Sequence, residues 1–97
     1  MNAFKLISTL LCLWFFAGSA QAACYADYKA KQESPLRLHY GILQINVTPC
    51  EKSEAVTSEV KERIANEGWT LLGVQSVFDD SGLESRKQDA GQYFLRF

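Results

Sequence analysis

From Leu36 onward the apolar positions follow two rhythms. Leu36, Leu38, Tyr40 and Ile42 alternate with Arg37, His39 and Gly41. That alternation predicts a strand over residues 36–47 with one apolar face. Its parity then changes, because Leu43, Ile45 and Val47 become the apolar positions. A β-bulge near Gly41 would restore a single face; otherwise the strand is buried on different faces at its two ends.

Residues 48–67 change to helical spacing. Val56, Val60 and Ile64 form a narrow stripe along one side. Thr48, Pro49 and Glu51 fit the N-cap, first and third helical positions, with a later start at Ser53 as the alternative. Glu51 and Glu54 complement the positive end of the helix dipole, Lys61 and Arg63 the negative end, and Gly68 follows as a stop.

Residues 69–78 (WTLLGVQSVF) predict a second strand, apolar on both parities and so buried on two sides. Asp79-Asp80-Ser81-Gly82 reads as a turn, followed by a polar connection to Ala90. Residues 91–97 predict a third strand, with Tyr93, Leu95 and Phe97 on one face and Gln92, Phe94 and Arg96 on the other. Residues 24–35 are polar, with Tyr25 and Tyr28 at helical spacing, and predict a short helix or irregular arm ended by Ser34-Pro35. The expected fold is α+β. It is a small β-α-β-β sheet of about three strands, with one main helix on one face and an N-terminal arm. The strands flanking the helix should run parallel, and the last strand antiparallel to its predecessor.

The first residues follow a different pattern. Lys5 is the only charge ahead of Asp27, and Leu6–Ala17 is an unbroken run of apolar and small residues. Small residues then occupy Ala20 and Ala22. This is the layout of a secretory signal peptide over residues 1–22, too short for a membrane span. Cleavage is expected after Ala22, with Ala20 and Ala23 as alternative positions. Residues 23–97 remain as a single small domain, exported to the periplasm or secreted, without a stable membrane anchor.

Export changes the reading of the cysteines. Of the chain's three, Cys12 lies in the signal, leaving Cys24 and Cys50 as a disulfide that ties the arm to the helix start. A redox pair would want C-x-x-C spacing, although a thiol in a helix's first turn gains some reactivity. Lipidation of Cys24 would want leucine where Gln21 stands, and would leave Cys50 unpaired.

The chain carries 10 basic and 11 acidic side chains, a net charge of −1, which leaves no footprint for nucleic acid. His39 is the one histidine, without a second ligand group for zinc. The carboxylates of residues 79–84 lack the calcium-loop ladder, and Arg86-Lys87 is too small a cluster for nucleic acid. Asn46-Val47-Thr48 matches a glycosylation sequon, but that segment is needed as strand end and helix cap. No catalytic, metal or cofactor residue is assigned. Trp69 and Phe94 belong to an apolar surface that either the tyrosine-bearing arm covers or a partner or second copy meets.

At CYADYKAK, LHYG, GWTLLGVQSVFD and GQYFLRF the chain resembles a family of short exported bacterial proteins of unknown function. The GWTLL step after a helix is also similar to a broader group of small bacterial domains. The resemblance implies a bacterial periplasmic address and the β-α-β-β order, and it brings no activity with it. The expected role is a periplasmic binding or protein-interaction module with an envelope protein as partner. The alternative is a small enzyme or enzyme inhibitor.

Overall fold

The computed structural model describes residues 23–97; the signal peptide expected over residues 1–22, with Ala22, lies outside the described residues. The elements are β1 (Cys24–Gln32), β2 (Arg37–Ile45), α1 (Glu54–Ala65), β3 (Thr70–Phe78) and α2 (Glu84–Ala90). Short 3-10 turns cover Asp80–Gly82 and Gly91–Tyr93. The strands form one antiparallel sheet in the order β2-β1-β3. The α+β class, three strands, main helix and disulfide all match expectation, but the element order is β-β-α-β-α.

The expected N-terminal arm is the central strand. Cys24, Ala26, Tyr28 and Ala30 alternate onto one face and pack in the same cluster as Val56, Val60 and Ile64 of α1. Tyr25 turns the other way, into a second cluster with Ile42 and Ala90. The tyrosine spacing that suggested a helical turn therefore places the two rings on opposite faces of a strand. β2 and β3 are both antiparallel to β1. They run parallel to each other, as expected across a helix, with β1 between them.

β2 carries no bulge. Its register against β1 runs without a shift from Cys24↔Ile45 to Gln32↔Arg37. The parity change marks two covered faces: Leu43 and Ile45 pack with α1, and Ile42 in the second cluster. Gly41 has another purpose. It pairs with Tyr28, and a Cβ there would fall 2.5 Å from the tyrosine oxygen and 2.6 Å from Cζ. The glycine makes room for the ring.

The bulges are in β3. The β1–β3 register shifts between Asp27 and Tyr28 and between Lys29 and Ala30, so Gln75 and Leu72 are skipped. Leu71, Val74 and Val77 thereby reach one face from positions three apart. This explains a strand that is apolar on both parities.

α1 takes the later start. The Ser53 hydroxyl accepts from the Val56 N–H at 3.3 Å, and the Ser53 carbonyl from the Thr57 N–H at 3.1 Å. One turn earlier the buried stripe would reach Lys52, so a start at Thr48 would bury no further apolar side chain. The helix ends as expected. Gly68 adopts φ +85°, and Trp69 N–H closes on the Ile64 carbonyl at 3.1 Å.

The C-terminal strand does not form. The polar connection holds α2, and residues 91–97 wrap the β2 edge through one bridge, Ile42↔Phe94, and a Leu95 N–H to Ile42 carbonyl bond of 2.9 Å. Tyr93 and Phe97 still pack on the α1 side and Phe94 on the α2 side, whereas Leu95 turns outward.

Candidate functional site

Cys24 and Cys50 are bonded, with Cα atoms 5.7 Å apart and a sequence separation of 26. Cys50 precedes α1 instead of sitting in its first turn, so the bond ties the start of β1 to the loop that enters the helix. Closing a loop of this size stabilises by about 3.5 kcal/mol in the chain-entropy account. Asp79 caps the 3-10 turn by accepting from Ser81 N–H (3.0 Å) and Ser81 hydroxyl (2.6 Å), which holds its carboxyl below the usual range. Asn46 donates its backbone N–H to Glu59. No cluster of three or more His, Cys, Asp or Glu side chains suited to a metal occurs among the described residues.

Two polar groups are buried in the sheet, one on each face. On the α1 face His39 shares a 2.8 Å hydrogen bond with the Tyr28 hydroxyl through Nε2, while its Nδ1 is buried without a partner. The imidazole stacks on Tyr93 (centroids 3.7 Å) and meets Trp69 edge-on (4.2 Å). Burial pushes its pKa down to about 4 and pushes the Tyr28 hydroxyl up. The alternation around His39 does not show this burial, because Tyr93 and Phe97 reach the ring from far along the chain.

On the other face Asp27 is the hub. Its Oδ1 accepts from the Ser76 N–H and hydroxyl, each at 2.7 Å, and its Oδ2 from the Tyr40 hydroxyl at 2.7 Å and Arg86 Nε at 3.3 Å. Arg86 lies 4.0 Å above the Phe78 ring and donates to the Gly82 carbonyl. Thus α2 is fastened to the sheet through Arg86. No local signal announces this cluster, since its members come from three strands and a helix.

α2 covers only part of that face. Tyr25, Asp27, Ile42 and Phe78 lie beneath or beside it, but the β1–β2 hairpin end stays open. There Leu38 is 65% exposed and Leu72 55% exposed. They flank a shallow recess of about 320 Å³ lined by Lys29, Ala30, Leu38, His39, Tyr40 and Leu72. Lys29 is exposed and forms no ion pair among the described residues, whereas Lys31 pairs with Glu33 at 2.7 Å. At the apolar surface expected around Trp69 and Phe94, Trp69 is buried and Phe94 half-buried, whereas Leu36, Leu38 and Leu72 stay exposed.

No family model matches the chain, no curated protein matches it, and no solved structure matches it.

Proposed function

We propose that this protein is an exported binding module of the bacterial cell envelope, released from a signal peptide after Ala22, that docks a partner protein on the open end of its sheet. The observation that carries this reading is the pair of exposed leucines, Leu38 and Leu72, around an unpaired Lys29 on a face that α2 covers only in part. Isolated surface leucines are ordinary, but a leucine-flanked recess with a free cation at its rim is a docking geometry. The disulfide accords with an oxidising compartment. Among the described residues no helix is long and apolar enough to cross a membrane.

Charge selects the occupant. A second copy docked through the same patch about a two-fold axis would set Lys29 near its own counterpart. A segment carrying aspartate or glutamate beside apolar side chains complements both parts of the surface. The test is photocrosslinking in the native host, with a photoreactive residue at Leu72 and, as control, at the exposed Thr57 of α1. The expected product joins Leu72 to an acidic, apolar segment of another polypeptide and is lost with Lys29→Glu. A product with the chain itself, equal products from both positions, or indifference to Lys29→Glu overturns the reading.

A further inference from the structure

Residues 91–97 lie along the outer edge of β2 with few attachments. One bridge, Ile42↔Phe94, and one backbone bond, from the Leu95 N–H to the Ile42 carbonyl, join the two. Arg63 adds a bond of 2.8 Å to the Phe97 carbonyl. None of residues 91–97 is buried: Tyr93, Phe94 and Phe97 are half-buried and the others exposed. The backbone takes two uncommon conformations here. Gly91 stands at φ 54°, ψ −124°, a region that side chains rarely enter, and Leu95 stands at φ 55° without being glycine. The conformation at Leu95 persists only where surrounding contacts hold it.

A principal contact is the buried His39 ring. It stacks on Tyr93 at 3.7 Å, lies 6.1 Å from Phe97 and meets Trp69 edge-on at 4.2 Å. Its Nε2 shares a hydrogen bond with the Tyr28 hydroxyl, and its Nδ1 has no partner. In the imidazolium both nitrogens are donors, so Nδ1 would be a buried, charged donor with nothing to accept it. The neighbours do not compensate. Tyr28 and Tyr93 are phenols, neutral in acid. Arg37 lies beside the Trp69 ring, Arg96 beside Tyr93 and Phe97, and Arg63 at the Phe97 carbonyl, all of them cations. Of the nearby carboxylates, Glu59 is engaged by Arg63 and Glu67 is exposed.

We infer that residues 91–97 are an acid-released strap: proton uptake by His39 detaches Tyr93 and Phe97 from the ring and frees the outer edge of β2, while α1 and the sheet stay folded. With the strap closed, burial holds the His39 pKa at about 4; with the strap off, the ring meets water and returns toward its ordinary 6.5. The open form therefore binds a proton that the closed form refuses. The opening constant rises about tenfold per pH unit from 6.5 down to 4, about 300-fold in all. Val56, Val60 and Ile64 keep their packing against Ala26 and Ala30. The freed edge, with the Ile42 carbonyl unbonded, becomes a place for an added strand.

The test is native-state hydrogen exchange of the exported, disulfide-bonded protein between pH 7 and 4, corrected for the intrinsic pH dependence of exchange. The Leu95 amide reports on the strap, and the Val60 amide, inside α1, on unfolding of the whole. The opening constant of Leu95 is expected to exceed that of Val60 at every pH and to climb about 300-fold on acidification, and His39→Gln to abolish the climb. Equal opening constants for Leu95 and Val60, or a Leu95 constant indifferent to pH, would overturn the strap from the wild type alone. A climb that survives in His39→Gln would overturn the role of His39. The Val60 amide shows whether that variant is folded. If it is not, the imidazole Cε1–H titration of the wild type replaces it: the ring should gain its proton in step with the Leu95 climb, and a ring that titrates at its ordinary midpoint while Leu95 stays protected would contradict the coupling.

Discussion

The two faces of this sheet are finished differently. On one, α1 lays Val56, Val60 and Ile64 over Ala26, Tyr28 and Ala30, and Tyr93 and Phe97 close the edge. On the other, the shorter α2 buries Ala90 against Tyr25 and Ile42 and is fastened by a polar group, Asp27 with Arg86, Ser76 and Tyr40. A small domain has little apolar area to share, and the longer helix takes most of it. The second face combines a smaller apolar cluster with directional bonds, and its hairpin end stays exposed at Leu38 and Leu72. Stability is therefore concentrated on the α1 face, and exposed apolar surface on the α2 face.

Substitutions can break that contrast, and the largest effects belong to the first face and its staple. Reducing the Cys24–Cys50 bond should cost about 3.5 kcal/mol, read from urea unfolding with and without reductant. Alkylation of both cysteines in the unreduced protein would contradict the bond itself. Ile64→Ala, at a fully buried position, should cost about 3 kcal/mol in the same assay. A loss under about 1 kcal/mol would mean that α1 does not carry the core.

On the second face Asp27→Asn should cost about 2 kcal/mol. The reason is geometric. Ser76 N–H donates to one carboxylate oxygen and Arg86 Nε to the other. Whichever way the amide turns, its NH₂ meets a donor that cannot accept. Retention of wild-type stability would show that Arg86 and α2 are not held through this carboxylate.

Acid should act on the first face through His39. Its native pKa of about 4 lies below the ordinary 6.5, because burial disfavours the imidazolium. Between those values the unfolded chain binds a proton that the native chain refuses. Stability contributed by the neutral ring is complete above pH 6.5 and is lost as pH falls toward 4. Thermal melts across this window should show a steeper decline for the wild type than for His39→Gln, which cannot titrate. Parallel slopes would contradict the burial of the ring.

Much of this contrast was readable from the chain, though not all of it for the right reason. The stripe Val56–Val60–Ile64 and the stop at Gly68 gave the helix that covers the first face. The cysteine pair gave the staple. β1 was misread because alanine and lysine rank low as strand formers, so the alternation of CYADYKAKQ was hidden behind a helical tyrosine spacing. β3 seemed two-sided because two bulges shift its parity, and bulges are set by the partner strand. Residues 91–97 do alternate, but an edge offering a single bridge yields a wrap rather than a strand. The functional candidates were the least legible. Asp27 finds its partners at residues 40, 76 and 86, and the Leu38–Leu72 recess joins the β1–β2 hairpin to β3. Such neighbours are made by the fold and leave no local spacing to read.

The smallest expected effect tests the central contrast most directly. The double substitution Leu38→Ser with Leu72→Ser removes the exposed leucines from the open end of the second face. If that surface is kept for a partner and takes no part in the core, urea unfolding of the variant should fall within about 0.5 kcal/mol of the wild type. A loss approaching that of Ile64→Ala would show that these leucines belong to the core, and that the second face has no open end.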